Sequence, residues 1–250
     1  MKKTFLSLFL LLATGQVWSQ DESKVSIALA FGPSIPVGEY GAKSRAPHDY
    51  PGYAKSGALF DVRFAYKIHE HWGIAATLRG QAHPIDDQAW SGSAALLMAG
   101  GATTSVTTSG GYALGGLFFG PLYTTSISDR LSFDARIMSN LSTIASMPEV
   151  LVTANALSTS EYASSSRDAA TSPAYFSGFM VGTGLQFALG GRGALLFSAD
   201  YSTITHKFEN VPVSTVYRSP AGMYTFSSST TSGQRNFSML NVALGVGLRF

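Results

Sequence analysis

The sequence predicts an all-β chain closed into an antiparallel up-and-down transmembrane β-barrel of about eight strands, with long extracellular loops. Three observations carry this reading: an export signal at the start, a recurring two-residue alternation of apolar with small or polar residues, and a strict alternation of short and long connections. The composition agrees, since the 250 residues are 45% hydrophobic but only 13% charged, with 26 glycines.

Lys2 and Lys3 precede the apolar run Phe5 to Ala13, and Val17-Trp18-Ser19 follows before Gln20. This is the layout of a secretory signal cleaved after Ser19, leaving residues 20–250 as one barrel domain. The apolar run is too short to span a bilayer, although an uncleaved anchor or a buried first helix is the competing reading. Beyond the signal, no apolar run approaches the roughly 18 residues of a membrane helix, so any crossing must be made by a closed barrel.

The signal carries two of the 17 basic residues, which leaves 15 against 15 acidic ones in the mature chain. Lys and Arg are scattered singly, so nucleic-acid binding has no electrostatic support. Cysteine is absent, which excludes disulfides, thiolate metal sites and a lipid-modified cysteine.

The last segment is the most legible. Val242, Leu244, Val246, Leu248 and Phe250 alternate with Asn241, Ala243, Gly245, Gly247 and Arg249, the pattern of a strand that ends on the terminal aromatic residue. The same period recurs in strand one (Val25 to Gly32), strand two (Leu59 to Ile68), strand three (Trp72 to Gln81) and strand five (Leu131 to Met138). It recurs again in strand six (about Phe179 to Leu189) and strand seven (Leu195 to Ser202). Strand four, about Tyr112 to Ile127, is looser and contains Pro121, which removes a ladder hydrogen bond; a bulge after Gly120 is expected to accommodate it.

Short turns fall near residues 69, 129 and 191, and long connections near 36 to 56, 84 to 110, 141 to 177 and 206 to 236. Outer-membrane barrels place short turns in the periplasm and long loops outside the cell. The long connections are rich in Ser, Thr, Gly and Ala, as expected of surface loops. Within the last, Val211 to Tyr217 and Met223 to Phe226 flank Ser219-Pro220-Ala221-Gly222, predicting a hairpin outside the membrane. The alternative is an extra pair of wall strands, ten in all.

The face carrying Leu, Val, Ile, Phe, Trp and Tyr is assigned to lipid, with Trp72, Phe187 and Phe250 as a periplasmic aromatic belt. The opposite face mixes small residues with single charges. A first turn centred on Glu70 sets Asp61 opposite Arg79, and Arg136 and Asp200 fall at a similar depth. A layer of paired charges, Asp61, Arg63, Arg79, Arg136 and Asp200, is therefore expected across the lumen, since isolated charges there would be costly. It reads as a structural plug, because eight strands leave room only for side chains; a gate that passes ions is the alternative.

No catalytic, cofactor or metal site emerges. His69, Glu70 and His71 sit on a turn without an evident third ligand, and no zinc-protease spacing occurs. His83 and His206 near the outer rim, with Asp86 and Asp87 beside His83, leave a rim hydrolase or acyltransferase as a weaker reading. Strands three and seven lie half a circumference apart, so the two histidines are expected to face each other without forming a dyad.

The signal ending in Ser19-Gln20, the turns before Trp72-Gly73-Ile74 and Leu131-Ser132-Phe133, and the closing Leu244-Gly245-Val246-Gly247-Leu248-Arg249-Phe250 resemble the small outer-membrane β-barrel proteins of Gram-negative bacteria, OmpA-like and PorT-like in size. The resemblance implies an outer-membrane location, contact with outer-membrane lipid, and an assembly signal at Leu248 and Phe250 read by the barrel-assembly machinery. It implies no cofactor. No peptidoglycan-binding domain follows the barrel, so cell-wall tethering is not implied. Family members differ in role, so the fold does not select one. The expected function is a non-catalytic structural or surface-binding role through the extracellular loops, toward an extracellular or envelope protein. A narrow channel for small or apolar solutes, with an open lumen or a lateral gap near Pro121, is the alternative.

Overall fold

A computed structural model describes residues 24–43, 52–97, 103–155, 162–219 and 221–250. The signal segment 1–19, the cleavage position at Gln20 and His48 lie outside the described residues. Eight strands form the wall: β1 (Val25–Val37), β2 (Gly57–Lys67), β3 (Trp72–Pro84), β5 (Gly111–Ser126), β6 (Leu131–Met147), β10 (Gly178–Gly190), β11 (Gly193–Arg218) and β12 (Tyr224–Arg249). Each pairs antiparallel with the next, β1 pairs with β12, and β10 pairs with β11, so the ring closes. The wall has eight strands, and the ten-stranded alternative is set aside.

The alternation that defines the strands also sorts their faces. Ile27, Leu29 and Phe31 on β1, Phe60 and Phe64 on β2, and Leu240, Leu244 and Val246 on β12 all point outward and are exposed. Their inward neighbours Ala28, Ala30, Asp61 and Ala243 are buried. In a water-soluble barrel the apolar face would fill the interior; here it forms a continuous outer belt, as hydrocarbon contact requires. Trp72 packs edge-on against Tyr123 at 5.2 Å and the Arg192 guanidinium lies 5.4 Å over the Phe250 ring, both at the end that carries the short turns.

The short turns near 69, 129 and 191 and both described chain ends lie at one end of the barrel, where the Val25 and Phe250 backbones exchange hydrogen bonds of 3.0 and 2.8 Å. The other end carries the long connections, and these are far more structured than their composition suggests. They hold a helix, Asp87–Leu97, and four further strands, β4 (Thr103–Ser109), β7 (Glu149–Asn155), β8 (Tyr162–Arg167) and β9 (Ala170–Ala174).

The connection from 206 to 236, expected to hold a hairpin over Val211 to Tyr217 and Met223 to Phe226, does hold it, and the flanking stretches are continuous strand with the wall below. β11 and β12 are 26 residues each and stay paired out to Arg218 opposite Tyr224, with one irregularity between Phe208 and Val211. A tilted crossing needs only about 9–11 residues, so more than half of this hairpin stands above the bilayer. There β11 pairs with β8, β8 with β7 and β7 with β4, building a sheet on top of the barrel.

The bulge expected after Gly120 is displaced. Register with β6 is the same on either side of Gly120-Pro121, and Pro121 sits opposite Ile74 in an unshifted ladder with β3. The irregularity falls between Leu117 and Phe118, where Leu141 is the extra residue on β6. On the β6 side the ladder omits Gly120 and Pro121, so the missing N–H is tolerated by a short gap in hydrogen bonding and not by an inserted residue.

Candidate functional site

The barrel interior is closed at two levels, and the lower one is a layer of charge. The turn Ile68–His71 joins β2 and β3 so that Asp61 faces Arg79 directly. Arg79 donates from Nε and Nη2 to the Asp61 carboxylate at 2.8 and 2.7 Å, and from Nη1 and Nη2 to the Asp200 carboxylate at 2.7 and 2.8 Å. One guanidinium on β3 thus clamps the carboxylate of the neighbouring β2 and that of β11, directly across the ring from β3. Arg136 donates to Asp134 at 2.9 Å and to Asp200 at 3.3 Å, while Arg63 lies 3.9 Å from Asp134.

All five residues singled out from the sequence lie in this layer, together with a sixth, Asp134, which was left out. Its signal was present: Asp134 shares a face with Arg136 two residues on, and three arginines against two carboxylates leave one charge unmatched. With Asp134 the layer holds three cations and three anions. Asn241 adds a hydrogen bond to Asp200 at 2.9 Å, and Gln81 donates to Asn241 at 2.8 Å and to Ser34 at 2.9 Å. Such pairing is the condition under which buried charge is tolerated. The glycines of β10 make the space: a Cβ on Gly182 would collide with the Asp200 side chain, and one on Gly184 with the Asp134 carboxylate.

The upper closure is aromatic. After β1 the chain makes one helical turn, Gly38–Gly41, and turns Tyr40 down into the mouth, where it is fully buried. Its ring meets His83 at 5.2 Å, Tyr112 at 5.3 Å and Phe237 at 5.0 Å, each edge-on. Phe237 in turn contacts His206 at 5.8 Å and Phe208 at 6.4 Å. Gly52 is tied to this cluster by its N–H, which donates to Glu39 O at 2.7 Å, and by Tyr112 Oη, which donates to Gly52 O at 2.9 Å.

His83 and His206 both point into the mouth, but the Tyr40 and Phe237 rings lie between them. His83 shares a hydrogen bond with Lys55 O at 3.2 Å, and His206 with Thr143 Oγ1 at 3.1 Å. Asp86 does not address His83. It caps the helix by accepting the Ala89 N–H at 3.1 Å and pairs with Lys43 at 2.9 Å and Lys55 at 3.6 Å. Asp87 accepts from Thr108 Oγ1 at 2.8 Å. Near the periplasmic turn, His71 engages Thr124 O at 3.2 Å, and among the described residues no cluster of three potential metal ligands occurs.

The hydrogen bond from Lys43, joined by that from Ala89 N–H, holds the Asp86 carboxyl below its ordinary range. A carboxyl depressed in the folded state stabilises above its unfolded pKa and loses that contribution as the pH falls through the folded value. The expected result is that Asp86→Ala loosens the helix by about 1 kcal/mol, the usual size of a lost N-cap. Hydrogen exchange at Trp90 and Ser91 should then quicken about fivefold at neutral pH, and below about pH 4 the wild-type chain should approach the variant. Unchanged exchange in the variant would show that the cap carries nothing.

A ring of eight antiparallel strands, apolar outside, short-turned at one end and filled within, has one physical setting. The chain is a transmembrane β-barrel. Comparison with solved structures returns proteins of the same kind. Ail, the attachment invasion locus protein of Yersinia pestis, is 15% identical with a TM-score of 0.42, over 92% of this chain and 100% of that one. Neisserial surface protein A is 10% identical with a TM-score of 0.45, over 92% and 100%. The outer membrane protein OprG from Pseudomonas aeruginosa is 11% identical with a TM-score of 0.45, over 92% and 97%. At such identities the likeness concerns the fold alone. No protein-family model matches the chain, and no curated protein matches it.

Proposed function

We propose that this barrel is a non-catalytic, structural and surface-binding component of the outer membrane, whose work is done by the sheet and connections above the bilayer. The observation that carries the reading is the double closure. A neutral layer of six interlocked charges blocks the lumen, and the Tyr40 cluster blocks the mouth. Below the charges, a recess of about 70 Å³ opens at the periplasmic end. The five residues Asp61, Arg63, Arg79, Arg136 and Asp200 act, with Asp134, as a structural plug. Leu248 on the last strand and Phe250 just after it, both beside β1, serve as the signal for barrel assembly, and the outer belt is solvated by outer-membrane lipid. The binding partner is an extracellular or envelope molecule that meets the upper sheet.

A gate or narrow channel would need both closures to open together, and the break in the β5–β6 ladder at Gly120-Pro121 leaves the register unchanged on either side, which supports a continuous wall there. The test is conductance in planar bilayers. The native barrel is expected to show no sustained large conductance, and Asp61→Ala likewise, because Arg79 keeps Asp200 and the Tyr40 cluster is untouched. Sustained large conductance from the native chain would overturn the plug and with it the surface-binding reading.

A further inference from the structure

Above the aromatic cluster, a cleft of about 310 Å³ opens between the end of β6, β8 and the rising β11–β12 hairpin. Its floor is apolar, formed by Met147, Phe208 and Val211, all buried. Two arginines from different strands line it, Arg167 on β8 and Arg235 on β12. Arg235 lies 5.7 Å over the Tyr112 ring and donates to Tyr112 Oη at 3.3 Å. Arg167 has Nε and Nη2 shut away from water with no hydrogen-bond partner. Among the described residues, no carboxylate forms an ion pair with either arginine.

The contrast with the lumen below is instructive. In the charge layer three arginines meet three carboxylates of the same chain; here, two guanidinium groups share one cleft with no counter-charge among the described residues, an arrangement that costs free energy unless an anion completes it. Burial pushes the Arg167 guanidinium below its ordinary pKa, the nearby Tyr112 hydroxyl opposes the shift, and the Arg235 charge adds to it. Guanidinium forks match the oxygens of phosphate, sulfate or carboxylate. The volume is at the low end of small-molecule pockets, and the combination of an apolar base with a few converging polar groups is their usual construction.

We propose that this cleft binds a small soluble amphipathic anion, its oxyanion held between Arg167 and Arg235 and its apolar body resting on Phe208, Val211 and Met147. The inference rests on the surface-binding reading and names the chemistry of the ligand. Because the hairpin stands above the bilayer, the anion reaches the cleft from the water outside the cell and not from a lipid headgroup.

The test uses the full mature barrel in phosphatidylcholine nanodiscs, titrated calorimetrically with phenyl phosphate, inorganic phosphate and benzyl alcohol. Phenyl phosphate is expected to bind at least tenfold more tightly than either of the others, since each lacks one half of the recognition. Arg167→Gln and Arg235→Gln should each weaken phenyl phosphate at least tenfold, while Arg167→Lys keeps part of the affinity and all variants keep the wild-type circular dichroism. Equal binding by the wild type and the glutamine variants, or none at millimolar phenyl phosphate, overturns the proposal. Competition by phosphatidic acid built into the nanodisc overturns the soluble source and assigns the cleft to a headgroup. A barrel that fails to bind yet does not conduct loses the cleft alone, whereas conductance removes the surface-binding reading independently.

Discussion

Replacing Arg79 by Met is expected to destabilise the folded barrel by about 3–5 kcal/mol, the cost of leaving buried charge uncompensated. Arg79 makes four hydrogen bonds to two carboxylates, and both Asp61 and Asp200 are almost fully buried around it. Without it Asp61 loses both of its hydrogen bonds from the guanidinium, whereas Asp200 retains Arg136 and Asn241. The asymmetry makes a second expectation. Adding Asp61→Asn to Arg79→Met should recover a substantial part of the loss, because the carboxylate left stranded is then neutral. Urea unfolding of the refolded barrel in detergent, followed by the fluorescence of Trp72 and Trp90, measures both changes. A loss under 1 kcal/mol in Arg79→Met would mean that water enters the layer freely and that it seals nothing.

Leu244→Arg should cost about 2–4 kcal/mol of stability in a bilayer, the depth-dependent price of a cation facing hydrocarbon near the midplane. Leu244 is 67% exposed on the outer face of β12, midway along its lower half, with Phe31 and Phe197 opposite it on the two neighbouring strands. Leu244→Ala at the same position removes apolar area without adding charge and separates the two effects. Folding into phosphatidylcholine vesicles, titrated with urea, reports the difference. Insertion of Leu244→Arg as readily as the wild type would mean that something other than lipid covers this face.

The cleft was invisible from the residues alone, and the members of the charge layer were nearly all legible, for a common reason. Asp61 and Arg79 lie on two strands joined by a four-residue turn, so turn geometry fixes their pairing to within one residue. Asp200 joins them only because the ring closes, and closure was legible as eight alternating segments. Asp134 was overlooked although it obeys the same alternation. Arg167, in contrast, lies in Tyr162–Arg167, a run of small polar residues without an apolar face. That strand exists because β7 and β11 flank it above the membrane, where no lipid enforces a period of two. Thr103–Ser109 escaped for the same reason, whereas the hairpin over Val211 to Tyr217 and Met223 to Phe226 was legible from its turn residues.

What the sequence by itself determined is the part of the molecule that lipid constrains: the number of wall strands, the direction each side chain faces and the end at which the short turns lie. A bilayer leaves backbone groups no alternative to a closed ladder and sorts every residue to one of two sides, so pattern and structure must coincide there. Tertiary structure alone decided what happens above it. The burial of Tyr40 between His83 and Phe237, the capture of Asp86 by Lys43 and Lys55, and the meeting of Arg167 with Arg235 depend on long connections folding back over the mouth. Water satisfies those backbones in many conformations, and only side-chain contacts between distant segments choose among them.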